Sequence, residues 1–265
     1  MSQFLRDEVI KNINIDESSL DILNQYFVSN AIKIRDSLVD NPENEKKIPI
    51  LNYVIRFDNK GYRLFDFQEI LKFYNQANKV ERIIFTLESS ESISSGRNSG
   101  SYLELKLDTY DLNNCYLVAS SDDEDWVDLV FNGIQEILNK FHNKSRFVQN
   151  YWTIFVVQIF GVMLGFVLSL WAAIKISPYL SIENAFVISF LFIFLIFANS
   201  WTLLHRLIIK LLNYSFPNLR FKHKGRTSLH WLLQALVGGL IIAFAIFLLN
   251  KIFEFIGSVI GGFIK

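Results

Sequence analysis

The chain has 265 residues, enough for one or two domains, and its formal net charge of zero hides two unlike parts. Residues 1–150 carry 24 acidic and 17 basic residues, a net charge of −7, whereas residues 151–265 carry 2 acidic and 9 basic residues, a net charge of +7. The single cysteine, Cys115, excludes an intrachain disulfide framework and fits a reducing compartment, and the N-terminal sequence lacks the charged-then-apolar pattern of a signal peptide.

Residues 1–146 predict a cytosolic α+β domain with elements in the order α-ββ-α-βββ-α and an antiparallel or mixed sheet. The assignments rest on apolar periodicity, on a DNKG turn and on the helix-starting Asp66. In chain order, the predicted elements are a helix at 16–40, a hairpin of 48–57 and 62–65, a helix at 66–77, strands at 79–89, 101–110 and 114–120, and a final helix.

The acidic stretch SSDDEDWVD, residues 120–128, is either the start of that final helix or a metal site. Ser121 and Glu124 have the spacing of a capping box, and the helix dipole favours the neighbouring carboxylates in the first turn. A hard-cation site needs carboxylates from several elements or an EF-hand spacing, and neither is visible. We therefore predict a helix start, with no metal, followed by an apolar stripe that packs on the sheet: Trp126, Leu129, Val130, Gly133, Ile137 and Phe141.

The other candidate site residues match no catalytic, cofactor-binding or metal-binding pattern. The segment 94–100 is rich in Ser and Gly and is a candidate phosphate cradle, but it lacks a P-loop or dinucleotide fingerprint and reads more simply as a mobile hairpin link. The four histidines have no ligand spacing, and Cys115 lies in a predicted strand as a buried structural thiol.

Three segments without Asp, Glu, Lys or Arg, namely 151–174, 184–204 and 227–250, predict three transmembrane helices within a membrane domain at 147–250. Four tryptophans lie near the ends of these segments, as expected for interface anchors: Trp152, Trp171, Trp201 and Trp231. The tail 251–265 is too short for a further crossing and predicts an interfacial amphipathic segment.

Basic residues predict the orientation of the spans. They cluster before the first span and between the second and third, so the positive-inside bias places the N-terminus in the cytoplasm and the C-terminus outside. The second loop holds four cations at alternate positions, Arg220, Lys222, Lys224 and Arg226. Contact with anionic lipid headgroups accounts for them more simply than binding of nucleic acid.

Small and polar residues within the spans indicate helix packing. Gly161 and Gly165 form a GxxxG motif, and small residues recur every four positions at Ala235, Gly239 and Ala243. Packing within one chain and self-association explain both patterns equally well. The uncharged polar residues at membrane depth, Gln158, Asn199 and Gln234, suit hydrogen bonds between helices or, alternatively, the lining of an aqueous path.

The sequence favours a non-enzymatic regulatory or effector protein of a bacterial inner membrane. Its cytosolic domain is expected to bind a protein or small ligand, and its spans are expected to form a homo-oligomer within the lipid bilayer. An oligomeric ion channel or pore-forming effector, of the stress or phage-defence (antiviral) kind, is the alternative, and a lipid-modifying enzyme is a third. A proton-coupled pump is disfavoured, because no Asp, Glu, Lys or Arg lies within the spans.

Overall fold

The computed structural model describes residues 3–39, 48–111, 114–143 and 150–222, together with scattered positions between 232 and 257. The chain divides into two compact units. The first combines Met1–Arg146 with Pro217–Arg226, and the second combines Phe147–Phe216 with Thr227–Lys265. The first unit therefore includes part of the loop that follows the second predicted span.

The first unit is an α+β fold. Its elements in chain order are β1 (Phe4–Val9), β2 (Ile13–Ile15), α1 (Glu17–Val39), β3 (Pro49–Phe57), β4 (Lys60–Leu64), α2 (Phe67–Gln76), β5 (Val80–Ser89), α3 (Ser90–Ser94), β6 (Tyr102–Asp108), β7 (Tyr116–Ser121), α4 (Glu124–Asn139) and β8 (Leu219–Phe221). Six of these strands form a sheet in the order β1-β7-β6-β5-β3-β4, and every neighbouring pair is antiparallel. β2 and β8 form a separate parallel pair.

The predicted order α-ββ-α-βββ-α was wrong at the N-terminus and after β5, because it lacked β1, β2 and the short helix α3. β1 is an edge strand with mostly exposed side chains, so it carries little of the apolar alternation that marks a strand. Backbone pairing with β7, from Phe4 opposite Ser121 to Val9 opposite Tyr116, holds it in the sheet instead.

One face of the sheet and three helices enclose the hydrophobic core. Alternate side chains of the central strands point into it, including Tyr53, Phe85 and Leu105, and they pack against residues of α1, α2 and α4. The ring of Phe85 lies 5.4 Å from that of Phe27 on α1, centroid to centroid. The other face of the sheet carries none of these three helices.

The start of α4 differs from the predicted capping box. The N-cap is Asp123, whose side chain accepts a hydrogen bond from the backbone of Trp126, whereas Ser121 remains in β7 and its hydroxyl bonds that of Ser101 at 2.9 Å. The predicted stripe was correct in part, since Val130 and Ile137 are buried in the core and Trp126 and Phe141 pack against it, whereas Leu129 is exposed. The other buried side chains of α4 are Val127, Phe131, Ile134 and Leu138. Gly133 instead faces Tyr26 of α1.

The second unit contains two long apolar helices, α5 (Tyr151–Ile176) and α6 (Ala185–Ser215), with a short 3₁₀ turn (Ser177–Tyr179) after α5. Both are long and apolar enough to cross a membrane. α6 continues without a break through the basic segment that follows the predicted second span. Of the three predicted spans, the structure therefore supports two. Most of the third, 227–250, and of the tail, 251–265, lies outside the described residues, and the described positions from 232 to 257 are helical.

Candidate functional site

A polar cluster lies on the sheet face that α1, α2 and α4 leave uncovered. The strand register places Asn52, Thr86 and Glu104 side by side on β3, β5 and β6, and it places Glu88 opposite Tyr102. Both glutamates are only 8% exposed. A buried carboxylate needs compensating donors, because burial penalises its charge, and the neighbouring residues supply them.

Arg97 lies in the loop after α3, and its positive charge balances the charge of these carboxylates. Its guanidinium donates to the Oε1 atom of Glu88 at 2.6 Å and lies 3.7 Å from the Oε2 atom of Glu104. It also stacks over the Tyr102 ring, 4.0 Å from the centroid. Partial burial is the largest single effect and opposes the charge on Arg97, but the hydrogen bond to Glu88 and the electrostatic attraction of Tyr102, Glu88 and Glu104 together outweigh it and raise the arginine pKa. Arg97 has a positive φ of 69°, a strained conformation that a non-glycine residue adopts when its surroundings enforce it.

Two tyrosines complete the cluster around Glu104. The Tyr102 hydroxyl donates to one carboxylate oxygen at 2.6 Å, and the Tyr116 hydroxyl donates to the other at 2.7 Å. Burial, followed by the nearby carboxylate, raises the pKa of Tyr102 far above its ordinary value and raises that of Tyr116 to about 12. Both phenols therefore remain neutral donors at physiological pH.

The loop that presents Arg97 is ordered by its own hydrogen bonds. The Ser89 hydroxyl accepts from the backbone of Ser92 and of Ser101, and the Arg97 amide donates to the Ser92 carbonyl at 2.7 Å. The Ser99 amide donates to the Ser95 hydroxyl. Because these amides already have acceptors within the loop, the segment is poorly suited to the phosphate cradle considered from sequence, and it is not a plain mobile link either.

A cavity of about 350 Å³ opens beside this cluster. Its lining combines apolar side chains with charges of both signs: Ile50, Asn52, Val54, Arg63, Phe65, Ile84, Thr86, Glu88, Ile93, Arg97 and Glu104. Thr86 is only 4% exposed, yet among the described residues its hydroxyl has no hydrogen-bond partner. The half-buried Asn52 amide and the exposed Arg63 guanidinium likewise have no hydrogen-bond partner within the described part of the chain. Unpartnered polar groups around an apolar floor are typical of a small-molecule site.

A larger groove of about 580 Å³ lies along the end of β1 and α4. Several of its polar groups are already paired with one another, since Gln135 donates to Glu8 and the His142 ring bonds both Asn139 and the Asn12 carbonyl. This groove therefore offers fewer free groups to a ligand than the sheet-face cavity does.

The second candidate feature is the parallel pairing of β2 with β8. Leu219, Arg220 and Phe221 lie opposite Ile13, Asn14 and Ile15, and the Lys222 amide extends the ladder to the Ile15 carbonyl at 2.7 Å. Leu219 is buried in the core of the first unit. Residues 217–222, which lie between the second and third predicted spans, are thus part of this unit. We call this pairing, with the side chains that hold it, the β2–β8 clamp.

Three polar side chains hold the clamp. Asn218, which is 7% exposed, accepts from the Asn12 amide at 2.7 Å and donates to the Ile10 carbonyl at 3.3 Å. The Tyr74 hydroxyl lies 2.7 Å from the Lys222 carbonyl and 3.2 Å from the Ile15 carbonyl, so it reaches both strands. The Asn143 side chain bonds Pro217 and Ile13.

Two of the four cations predicted to contact lipid lie within this clamp. Arg220 is half-buried in β8, and burial lowers its pKa, whereas the Lys222 side chain is exposed. Lys224 and Arg226 lie outside the described residues. Contact of these four residues with lipid headgroups stays a prediction.

The GxxxG glycines on α5 face α6 of the same chain. A Cβ added at Gly161 would overlap the Trp201 indole, and one added at Gly165 would overlap the Phe197 ring. Ser169 and Ala173 continue the same buried stripe. The structure thus places this motif in packing within the chain. In the described part of the third predicted span, Ala235, Gly239 and Ala243 are exposed, and a Cβ at Gly239 meets nothing within 4 Å.

The remaining predicted membrane residues lie at the surface of α5 and α6 or outside the described chain. Trp152 and Trp171 are exposed, whereas Trp201 is half-buried against Gly161. Gln158 and Asn199 are also exposed, with no hydrogen bond to a described residue. Two further predicted residues, Gln234 and Trp231, lie outside the described part.

The described residues give little support for a metal site or for a cysteine nucleophile. They contain no group of three or more His, Cys, Asp or Glu side chains able to hold a metal ion. Cys115 is buried, and burial raises the pKa of its thiol to about 11, so it is mostly protonated near neutral pH and a poor nucleophile.

Comparison with protein-family models, with curated proteins and with solved structures found no match for this chain. The sheet-face cavity and the β2–β8 clamp are therefore the observations on which a function is proposed. Sequence patterns missed both. The clamp adds only three residues of strand, and the cavity joins residues from β3, β4, β5, β6 and the α3 loop.

Proposed function

We propose that this chain is a non-enzymatic, multi-pass regulatory or effector protein of a bacterial inner membrane. In α5 and α6, only 17% and 6% of the most apolar 18-residue stretch is buried. A core helix of a soluble protein would bury most of such a surface, and a signal sequence would lie near the N-terminus rather than after residue 150. Lipid is the environment that accounts for two long, apolar and mostly uncovered helices.

The proposed topology follows the basic residues. The first unit lies in the cytoplasm, 227–250 forms a third crossing, and the C-terminus lies outside. The position of Pro217–Arg226 within the first unit supports this arrangement, because a loop on the opposite side of the membrane could not join that fold. Reporter fusions after residue 146 and after residue 265 test it, and a cytoplasmic signal at the C-terminus would rule out three crossings.

The observation that carries the functional proposal is the β2–β8 clamp. α6 ends at Ser215 and β8 begins at Leu219, so only three residues separate a proposed membrane helix from a strand of the ligand-binding unit. Such a short connection absorbs little displacement. A ligand that shifts β2 or its neighbours would therefore change the position or tilt of α6, and this is how the first unit would control the membrane helices.

A spin label at the end of α6 tests this coupling. Leu211 is exposed and accepts a label after replacement by Cys in full-length protein in nanodiscs. Leu219→Ala removes a buried side chain from the clamp and should change the mobility of the label. Leu129→Ala is the matched control, because Leu129 is an exposed leucine on α4 of the same unit. Equal spectra for Leu219→Ala and the parent protein would refute the coupling.

An oligomeric ion channel or pore-forming effector is the second candidate. It is favoured by Gln158 and Asn199, which expose uncharged polar groups on otherwise apolar helices and need partners in hydrocarbon. Because Gly161 and Gly165 already pack within the chain, a homo-oligomer would use another face, such as that of Gly239. Mass in nanodiscs and ion flux in proteoliposomes separate the two candidates, since a monomer without flux excludes the channel.

The proposal includes no catalytic step, cofactor or nucleic-acid partner. In the sheet-face cavity, Glu88 is paired with Arg97, and Glu104 is held by two neutral phenols, so neither carboxylate is poised as a general base. The net charge of −7 on residues 1–150 disfavours a polyanion such as nucleic acid. Release of labelled products from lipid vesicles would contradict the non-enzymatic assignment.

A further inference from the structure

We infer that the sheet-face cavity binds a small zwitterion, of the free L-α-amino-acid class, with an apolar side chain. This inference deepens the proposed function, on which it rests, by naming the class of ligand that the first unit would sense. The cavity of about 350 Å³ is near the lower end of the range for ligand pockets, which suits a molecule of this size.

The charges of the lining select a ligand with both signs. Two guanidinium groups, Arg63 and Arg97, and two carboxylates, Glu88 and Glu104, line the same cavity. Because Arg97 is paired with Glu88 and lies close to Glu104, the lining as a whole has no excess of either charge, so a ligand with a net charge gains no net attraction from it. A ligand that is neutral overall but charged at each end can instead pair each of its charges with a group of opposite sign.

The free polar groups give each end of the ligand a partner. Arg63 lies opposite Val54 in the sheet and has no ion-pair partner among the described residues, so it is available for the ligand carboxylate. Thr86 and Asn52 are adjacent in register and supply further hydrogen bonds. Only the Oε1 atom of Glu88 bonds Arg97, which leaves Oε2 as an acceptor for the ligand ammonium group within the described structure.

Apolar side chains provide a place for the side chain of the ligand. Val54 and Ile84 form part of the floor, and Phe65 and Ile93 are exposed at the rim. Phe65 is 72% exposed, so its ring is accessible to a bound ligand. The hydrogen-bonded loop and the Arg97–Tyr102 stack hold the opposite wall before any ligand arrives, which reduces the ordering cost of binding.

Isothermal titration of full-length protein in nanodiscs tests this inference, with empty nanodiscs as the background. The probes are the common L-amino acids, each supplied alone. For any that binds, two analogues follow, one without the ammonium group and one without the carboxylate. For leucine these are 4-methylpentanoate and 3-methylbutylamine. We expect at least one apolar amino acid to bind, and both of its analogues to bind at least about tenfold more weakly, because each lacks one charged contact.

Two variants locate the site. Arg63→Gln should weaken binding about ten- to a hundredfold through loss of a charged hydrogen bond, and Thr86→Val should weaken it less. Arg35→Gln is the charge-matched control, because Arg35 lies on α1 with a side chain that is 68% exposed. The inference is overturned if no apolar amino acid binds, if an analogue binds as tightly as its parent, or if Arg35→Gln has the same effect as Arg63→Gln. Binding without any change in the α6 spin label would uphold this site and refute the proposed coupling instead.

Discussion

Replacing Asn218 by Ala should release β8 from β2 while leaving the main sheet folded. The Asn218 side chain accepts from the Asn12 amide and donates to the Ile10 carbonyl, and the residue is almost fully buried. Alanine offers neither group. Both backbone partners then lose a hydrogen bond in a place with little access to water, and water compensates such a loss poorly.

The size of the effect follows from these two contacts. A buried group left unsatisfied costs about 1–3 kcal/mol, and two neighbouring groups share part of any relaxation, so we expect a loss of about 2–4 kcal/mol in the free energy of opening the clamp. Since each 1.4 kcal/mol corresponds to a factor of ten, amide exchange of the clamp should accelerate by roughly thirtyfold to several hundredfold.

Hydrogen exchange of the full-length protein measures this change directly. The two reporters are the Ile13 amide, which donates to the Asn218 carbonyl, and the Lys222 amide, which donates to the Ile15 carbonyl. Asn98→Ala is the matched control, because the Asn98 side chain makes an exposed hydrogen bond within the α3 loop. It should leave both reporters unchanged.

Two results would refute the reasoning. Unchanged exchange at Ile13 and Lys222 in Asn218→Ala would show that the asparagine does not hold the clamp. Equal acceleration in β5 and β6 would show that the whole unit had unfolded, rather than that β8 had separated from it.

Three further predictions follow from particular contacts. Gly161→Ala should destabilise the α5–α6 pair by about 1–3 kcal/mol in detergent unfolding because its Cβ meets an indole ring, whereas Gly239→Ala, with open space around it, should not. Asp123→Ala should cost the first unit about 0.5–2 kcal/mol in thermal unfolding through loss of the helix cap, and the cost of Ser121→Ala should reflect the hydrogen bonds of its hydroxyl with the Ser101 hydroxyl and the Asp123 amide. Absorbance titration should show the Tyr116 phenol ionising near pH 12, and Tyr116→Phe should remove that step. Because the folded state keeps this proton after the unfolded chain has lost it near pH 10, the contribution of Tyr116 to stability should fall between about pH 10 and pH 12.

Local patterns in the sequence were sufficient for the long elements. α1 and the strands from β3 to β7 carry strong apolar periodicity or runs of β-forming residues, and the structure places them within a few residues of the predicted bounds. α5 and α6 follow from length and apolar composition alone. In each case the information lies within the element itself, because burial of its own side chains determines its pattern.

Tertiary structure alone decided the features on which the proposed function rests. β8 has three residues and pairs with a strand about two hundred positions earlier, so its extended form depends on a partner that no local pattern reveals. The GxxxG motif had two possible partners, and only the fold shows that Gly161 packs on Trp201 of the same chain. Likewise, Arg97 sits in a loop whose sequence resembles a flexible link, and its role appears only when the sheet register brings Glu88 and Glu104 beneath it. Contacts between distant segments are selected by the packing of the whole unit, and that is why they are absent from the periodicity of any one segment.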